Sequence, residues 1–293
     1  MYGRFTVPRM HLARIGALIF ALNGVSPLPL SAQDEPPVNR VIAQLRQGRP
    51  AIGTFTRTAS PDLDFAVIDT QYGEFDIEAV RQALLGMRSG DGAPAVTPIV
   101  RIPYDAREAP HAVVKQLLDV GVFGVMFPDI ETKAQAMRAI SSMRFAQVAG
   151  ASDAEPAGLR GLGSGSAPGY WGLSEDEYRA RADVWPLDPS GKLFAMLQIE
   201  SLAGIEHLDE ILDVPGIGAI FLGPTDLARS ADADGPNAPR VEALVQEVLA
   251  ACLARHVPCG YPIVAPTREA AERETARRLR EGFTVLAVMT TGR

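Results

Sequence analysis

LFAMLQIES (residues 193–201) and GIGAIFLGPTD (residues 216–226) decide the fold. Each opens as an apolar run too short for a core helix and rich in residues that pack on both faces of a sheet. Such runs read as strands of a parallel sheet. Each then ends on a carboxylate, Glu200 in the first and Asp226 in the second. Two acids just past adjacent strand ends can hold a hard divalent cation through oxygen and leave most of its coordination sphere to substrate.

Working outward, the same alternation fills the chain. Strands are predicted at Ala51–Phe55, Phe65–Asp69, Thr97–Arg101, Val122–Phe127, Leu193–Ile199, Ala219–Leu222, Cys259–Val264 and Phe283–Val288. Helices are predicted at Val38–Gln47, Ile77–Met87, Pro110–Asp119, Thr132–Met143, Ile205–Leu212, Val241–Arg255 and Arg268–Glu281. Eight strands separated mostly by helices over about 250 residues predict an α/β fold of the TIM (β/α)8 barrel type. A doubly wound open sheet is the alternative, but no Gly-rich dinucleotide turn follows the first strand. Ala146 to Lys192 is too long for a simple connector, and Arg160-Gly161-Leu162-Gly163 with Tyr170-Trp171-Gly172 suggests a partly ordered lid. Ser230 to Pro239 reads as a second, flexible loop.

The N-terminus reads differently. Arg4, Arg9 and Arg14 precede or flank the apolar stretch Ile15–Leu22, and Ser31-Ala32 leads into Gln33-Asp34-Glu35-Pro36-Pro37. That is a basic region, a short apolar core and a small-residue cleavage point. Residues 1–32 are expected to be a secretory signal, leaving 33–293 as the barrel domain in an exported, periplasmic or secreted protein. The apolar stretch is shorter than a membrane span, and no span is expected in the mature chain. Losing three arginines moves the formal charge from −7 to −10. An acidic chain without a basic patch excludes nucleic acid as the expected partner. The two cysteines, Cys252 and Cys259, do not make a disulfide scaffold. Export would permit a bridge between them; buried thiols are the alternative, and geometry decides.

Polar residues gather where strands end: Asp69-Thr70-Gln71-Tyr72, Arg101, Asp129, Glu200 and Thr225-Asp226. A lone acid there commonly caps a helix. Asp129, before Ile-Glu-Thr, suits a cap, and Asp226 could cap the segment from Leu227. Glu200 suits one less well, because a Glu ending a buried run needs a partner or a metal. Arg101 can bind a carboxylate or stabilise an oxyanion, or it can form a structural ion pair. His111, His207 and His256 fall in helices or a helix-to-strand turn and read as structural or surface residues.

These motifs together resemble the metal-dependent pyruvate aldolases of the HpcH/HpaI type, which share a superfamily with citrate-lyase β subunits. The similarity runs from about Ala51 to Val288. It is carried by FAVIDTQYGEFDIEAVRQAL, PIVRIP, VKQLLDVGVFGVMFPDIETKAQA, LRGLG, MLQIES, LDEILDVPGIGAIFLGPTDLA and GFTVLAV. The resemblance implies a TIM barrel. It implies Glu200 and Asp226 as ligands of Mg²⁺, Mn²⁺ or Co²⁺, Arg101 as the group that stabilises a pyruvate enolate, Asp119 as an acid at the rim of the site, and Asp69 as the acid opening the base motif. It implies cleavage or formation of 4-hydroxy-2-oxo acids, with a small 2-oxo acid as the partner and a homo-oligomer as a possible assembly.

The chain also departs from that family. Tyr72 stands where a catalytic histidine is expected, and Gln71 where a glutamate is expected. A Tyr with an ordinary pKa near 10 is a poor base at neutral pH, and Glu74 or a metal-bound hydroxide could substitute. The sequence ends directly after the last predicted strand, so the family's C-terminal helix is expected to be truncated. The rival to a lyase is an exported binding protein that captures 2-oxo acids without turnover. A citrate-lyase-like enzyme acting on acyl-CoA is a third reading, which export disfavours.

Overall fold

The computed structural model describes residues 39–90, 92–146 and 155–292. The expected signal at 1–32 lies outside the described residues. Among the described residues nine strands are present: β1 Ala51–Phe55, β2 Phe65–Asp69, β3 Thr97–Arg101, β4 Gly124–Phe127, β5 Val184–Trp185, β6 Leu193–Ile199, β7 Ala219–Leu222, β8 Cys259–Ala265 and β9 Val285–Thr290. They run in the order β4-β3-β2-β1-β9-β8-β7-β6-β5, and pairing of β4 with β6 closes the sheet. Every pairing is parallel. The result is an eight-stranded TIM-type barrel with β5 added to the edge of β6.

Alternation along the strands separates two cores. One side of each strand fills the barrel, with Phe65, Val67, Ile99, Met126, Phe194, Met196, Phe221, Val285 and Ala287 fully or almost fully buried. The other side packs under the outer helices in a larger cluster that includes Ile68, Val100, Val125, Leu197, Ile220 and Leu286. Both faces are dry, which is why these strands read as continuous apolar runs. The short helix Arg40–Arg46 closes the N-terminal end of the barrel by placing Val41 and Ile42 in the inner core. Asn39 caps that helix by accepting from the Ile42 N–H at 3.2 Å, and its amide donates to the Lys192 carbonyl at 2.9 Å.

The predicted helices form, with local differences. Ile205–Leu212 breaks into Leu202–Glu206 and Leu208–Leu212 at His207, because Ser201 starts the first turn early by accepting from Gly204 N at 3.1 Å. Pro224–Ser230 is a helix that the sequence reading left unassigned, opened by Pro224 at its first position. It takes up the first residue of the segment expected to be a flexible loop.

The segment expected to be a partly ordered lid is not one. The segment leading to β6 starts from helix Lys133–Met143, so it joins a helix to a strand and lies at the N-terminal edge of the barrel. It packs there. The Trp171 ring stacks on Phe123 at 4.2 Å, and its indole N–H donates to Gly121 O at 2.9 Å. Arg160, fully buried, donates to the Tyr178 hydroxyl at 2.8 Å over the Phe145 ring. Aromatic anchoring of this kind makes the described residues of the segment, 155–192, a wall of the fold. Cys252 and Cys259 are free, buried thiols, so the disulfide alternative is not realised.

Candidate active site

Strand register assembles the site. Asp69 and Arg101 are register partners at the ends of β2 and β3. Their side chains meet in a two-pronged pair, Nε to Oδ1 at 3.0 Å and Nη2 to Oδ2 at 2.6 Å. Arg101 is largely buried and lies between the rings of Phe55, at 4.9 Å, and Tyr72, at 5.0 Å. The aromatic faces and the carboxylate fix the guanidinium plane.

Glu200 follows β6 and is buried. Its Oε1 accepts from the Asp129 N–H at 3.0 Å, and its Oε2 from Gln198 Nε2 at 2.6 Å. A Cβ on Gly223 would lie 2.1 Å from Glu200 Oε2, so the close pass of the chain after β7 needs glycine there. Burial, then the charges of Asp226 and Asp129, push the Glu200 carboxyl up to about 8. Asp226 sits in the first turn of Pro224–Ser230, with Gly223 in the cap position, so it is not the cap. Tyr72, half exposed, donates its hydroxyl to Asp226 Oδ2 at 3.2 Å. Burial and the Asp226 charge raise the phenol to about 12. At neutral pH it is an uncharged donor.

Asp129 is not a helix cap either. Thr132 caps the following helix, accepting from Gln135 N at 3.2 Å. Asp129 has left-handed backbone, φ 49°, which turns its N–H onto Glu200. Its side chain accepts from the Tyr104 hydroxyl at 2.5 Å and from Arg107. Asp129, Tyr104, Arg107 and Gln198 are site residues whose roles sequence reasoning missed. The available signal was position: Asp129 ends a buried strand as Asp69 and Glu200 do.

Two cavities meet at Tyr72 and Asp226. One, of about 780 Å³, also touches Asp69, Arg101 and Gln198. The other, of about 620 Å³, also touches Gln71, Asp129, Glu131 and Glu200. Asp69, Gln71, Tyr72, Arg101, Glu200 and Asp226 thus come together. Asp119 does not join them. It lies near the end of helix His111–Val120, at the N-terminal edge of the barrel, paired with Lys115 and Arg160. Glu74 is exposed and lines neither cavity. None of His111, His207 and His256 lines either one.

The donor set fits a hard divalent cation. Glu200 and Asp226 are close enough for one charge to raise the other's pKa, and both offer oxygen. Gln198 Oε1 and Gln71 Oε1 are buried oxygens without a hydrogen-bond partner among the described residues. The described residues contain no group of three or more His, Cys, Asp or Glu able to hold a metal. The set is therefore two carboxylates, with room left for a chelating substrate.

A profile of the HpcH/HpaI aldolase/citrate lyase family matches residues 64–287, most of the chain. The chain belongs to that family. This HpcH/HpaI-family protein is 28% identical over 260 residues to a 5-keto-4-deoxy-D-glucarate aldolase of Citrobacter koseri, covering 85% of this chain and 89% of the relative. It is similar in structure to an HpcH/HpaI aldolase/citrate lyase family protein from Burkholderia cenocepacia, with TM-score 0.67, 28% identity, and coverage of 85% and 92% of the two chains. The HpcH/HpaI aldolase of Desulfitobacterium hafniense shares its fold, with TM-score 0.64, 22% identity and coverage of 84% and 88%. Membership supports an aldolase or lyase acting on a small molecule. No described helix is long and apolar enough to cross a membrane.

Proposed function

We propose that this chain is a divalent-metal-dependent carbon–carbon lyase that cleaves or forms 4-hydroxy-2-oxo acids through a pyruvate enolate. The observation that carries this reading is the convergence of Arg101, Glu200 and Asp226 on adjoining cavities at the C-terminal edge of a family barrel. Glu200 and Asp226 would hold Mg²⁺, Mn²⁺ or Co²⁺, which supplies Lewis-acid polarisation of a bound 2-oxo acid. Arg101, oriented by Asp69, presents positive charge where the enolate oxygen develops. Its Nη1 has no hydrogen-bond partner among the described residues and is free to donate. Tyr72, held neutral, can donate to an oxyanion but cannot take a proton at pH 7. We infer that it replaces the histidine of the family's base motif.

Exchange of the pyruvate C3 hydrogens with D₂O, followed by NMR with and without Mg²⁺ or Mn²⁺, tests enolate formation. Metal-dependent exchange is expected; its absence would sink the lyase reading. The neutral Tyr72 favours a second reading, capture of 2-oxo acids without turnover. Tight 2-oxo-acid binding without exchange would select it.

The N-terminal sequence pattern supports export. N-terminal sequencing of protein from the native host should then find a start near Gln33. A retained Met1 in soluble protein would exclude cleavage.

A further inference from the structure

The larger cavity is asymmetric. Asp69, Tyr72, Arg101 and Asp226 form its chemical side. The rest of its lining is mainly apolar and includes Phe221, Pro262, Val264 and Met289, with Phe55 packed on Arg101 where the two parts meet. Val264 is 61% exposed, though it belongs to a barrel strand whose neighbours Ile263 and Ala265 are buried. Val264 lines the same cavity as Asp69 and Asp226, so with Met289 and Phe55 it offers apolar surface to whatever fills that cavity.

The charges in this cavity point the same way. Two cations line it, Arg101 and Arg277. Arg101 is held by Asp69. Arg277 is held by Glu274 at 2.6 Å, and by Glu242 and Glu281 at 3.4 Å each. The far rim adds Glu274 and Asn237. A second carboxylate on the substrate would meet Glu274, with no unpaired cation among the described residues lining this cavity to receive it. The volume of about 780 Å³ also exceeds what a pyruvate unit of six heavy atoms fills.

We propose that the aldehyde half of the substrate is apolar, an unbranched, branched or aromatic aldehyde without a carboxylate, and that Phe55, Val264 and Met289 form its subsite. This rests on the aldolase reading. The bond formed joins C3 of the pyruvate enolate to the aldehyde carbon, and the aldehyde oxygen takes up the proton lost from C3. Cleavage reverses both, so no oxidant or further reactant is needed. The preference separates this chain from relatives named for 5-keto-4-deoxy-D-glucarate, a sugar-derived acid.

The test measures aldol addition of pyruvate, with Mn²⁺, to propanal, pentanal and benzaldehyde against glycolaldehyde, glyoxylate and succinic semialdehyde. In a well-fitted apolar pocket, each methylene changes kcat/KM by about tenfold or more. Pentanal or benzaldehyde should therefore exceed glycolaldehyde and both carboxylated aldehydes by at least about tenfold. Val264→Asp, on an exposed side chain, should remove that advantage. Equal or faster addition to the carboxylated aldehydes overturns the proposal, and retained C3 exchange would show that the aldolase reading survives it. An unchanged preference in Val264→Asp overturns the assigned subsite. Loss of C3 exchange in the wild-type protein overturns both readings.

Discussion

Glu200→Gln combined with Asp226→Asn should abolish divalent-ion binding and lower metal-dependent pyruvate turnover by at least about 10³-fold. Lewis-acid stabilisation by a bound cation is worth several kcal/mol, and each 1.36 kcal/mol is tenfold in rate. Among the described residues lining the two cavities, Asp69, Asp129, Glu131 and Glu274 each pair with an arginine, which leaves Glu200 and Asp226 as the carboxylates without an Arg partner. The single variant Glu200→Gln carries a further signature. With the Glu200 carboxyl pushed up to about 8, a proton competes with the cation at neutral pH. Mn²⁺ affinity of the wild-type protein, measured by calorimetry, should fall as pH drops below about 8, by up to tenfold per unit. In Glu200→Gln that steep dependence should disappear along with most of the affinity. The same burial makes a folding control available. An acid with a raised pKa binds more protons folded than unfolded, so metal-free stability falls as pH rises from the ordinary carboxylate range through about 8. Metal-free Glu200→Gln should melt at or above the wild-type temperature at pH 8. Unchanged Mn²⁺ affinity in the double variant would remove Glu200 and Asp226 from the metal site.

The barrel was legible because its strands are buried on both faces. β2, β3, β6 and β7 begin and end where the apolar runs do. β9 was displaced by two residues, because Phe283 belongs to the outer core and precedes the first ladder pair, at Val285. The Ala146–Lys192 segment was misjudged because Gly, Ser and Pro mark a loop but not which end of the barrel it covers. That follows from topology, a helix-to-strand connection, and from Trp171 and Tyr178 burying themselves at that end. Within the site, Glu200, Asp226 and Arg101 stood out as charges ending apolar runs. Asp129 was hidden by a plausible capping context, since only its left-handed backbone turns its N–H onto Glu200. Asp119 lay beyond the reach of residue reasoning, because its place depends on where a helix ends rather than where a strand does.

Tyr72→His should raise cleavage of a simple 4-hydroxy-2-oxo acid by about 10²-fold or more, the usual worth of a general base being about 10²–10⁴. Tyr72 occupies the junction of the two cavities, beside Asp226 and over Arg101. A group there reaches whatever bridges the metal carboxylates and the guanidinium. The phenol is the wrong base for that place, since burial and Asp226 hold its proton to about 12. An imidazole is neutral or charged near pH 7, and Asp226 would favour its charged form. The variant's kcat/KM profile should therefore gain a limb near or somewhat above pH 6.5 that the wild type lacks. Tyr72→Phe keeps the ring against Arg101 and removes only the hydroxyl, so it should leave slow cleavage of the same substrate near the wild-type rate. A different pattern would reassign the residue. If Tyr72→His and Tyr72→Phe both fall by about 10²–10³-fold with KM little changed, the neutral hydroxyl is itself donating to an oxygen that gains charge in the transition state. In that case the chain has exchanged a base for an oxyanion donor, and the proton of the 4-hydroxyl leaves to a group other than residue 72.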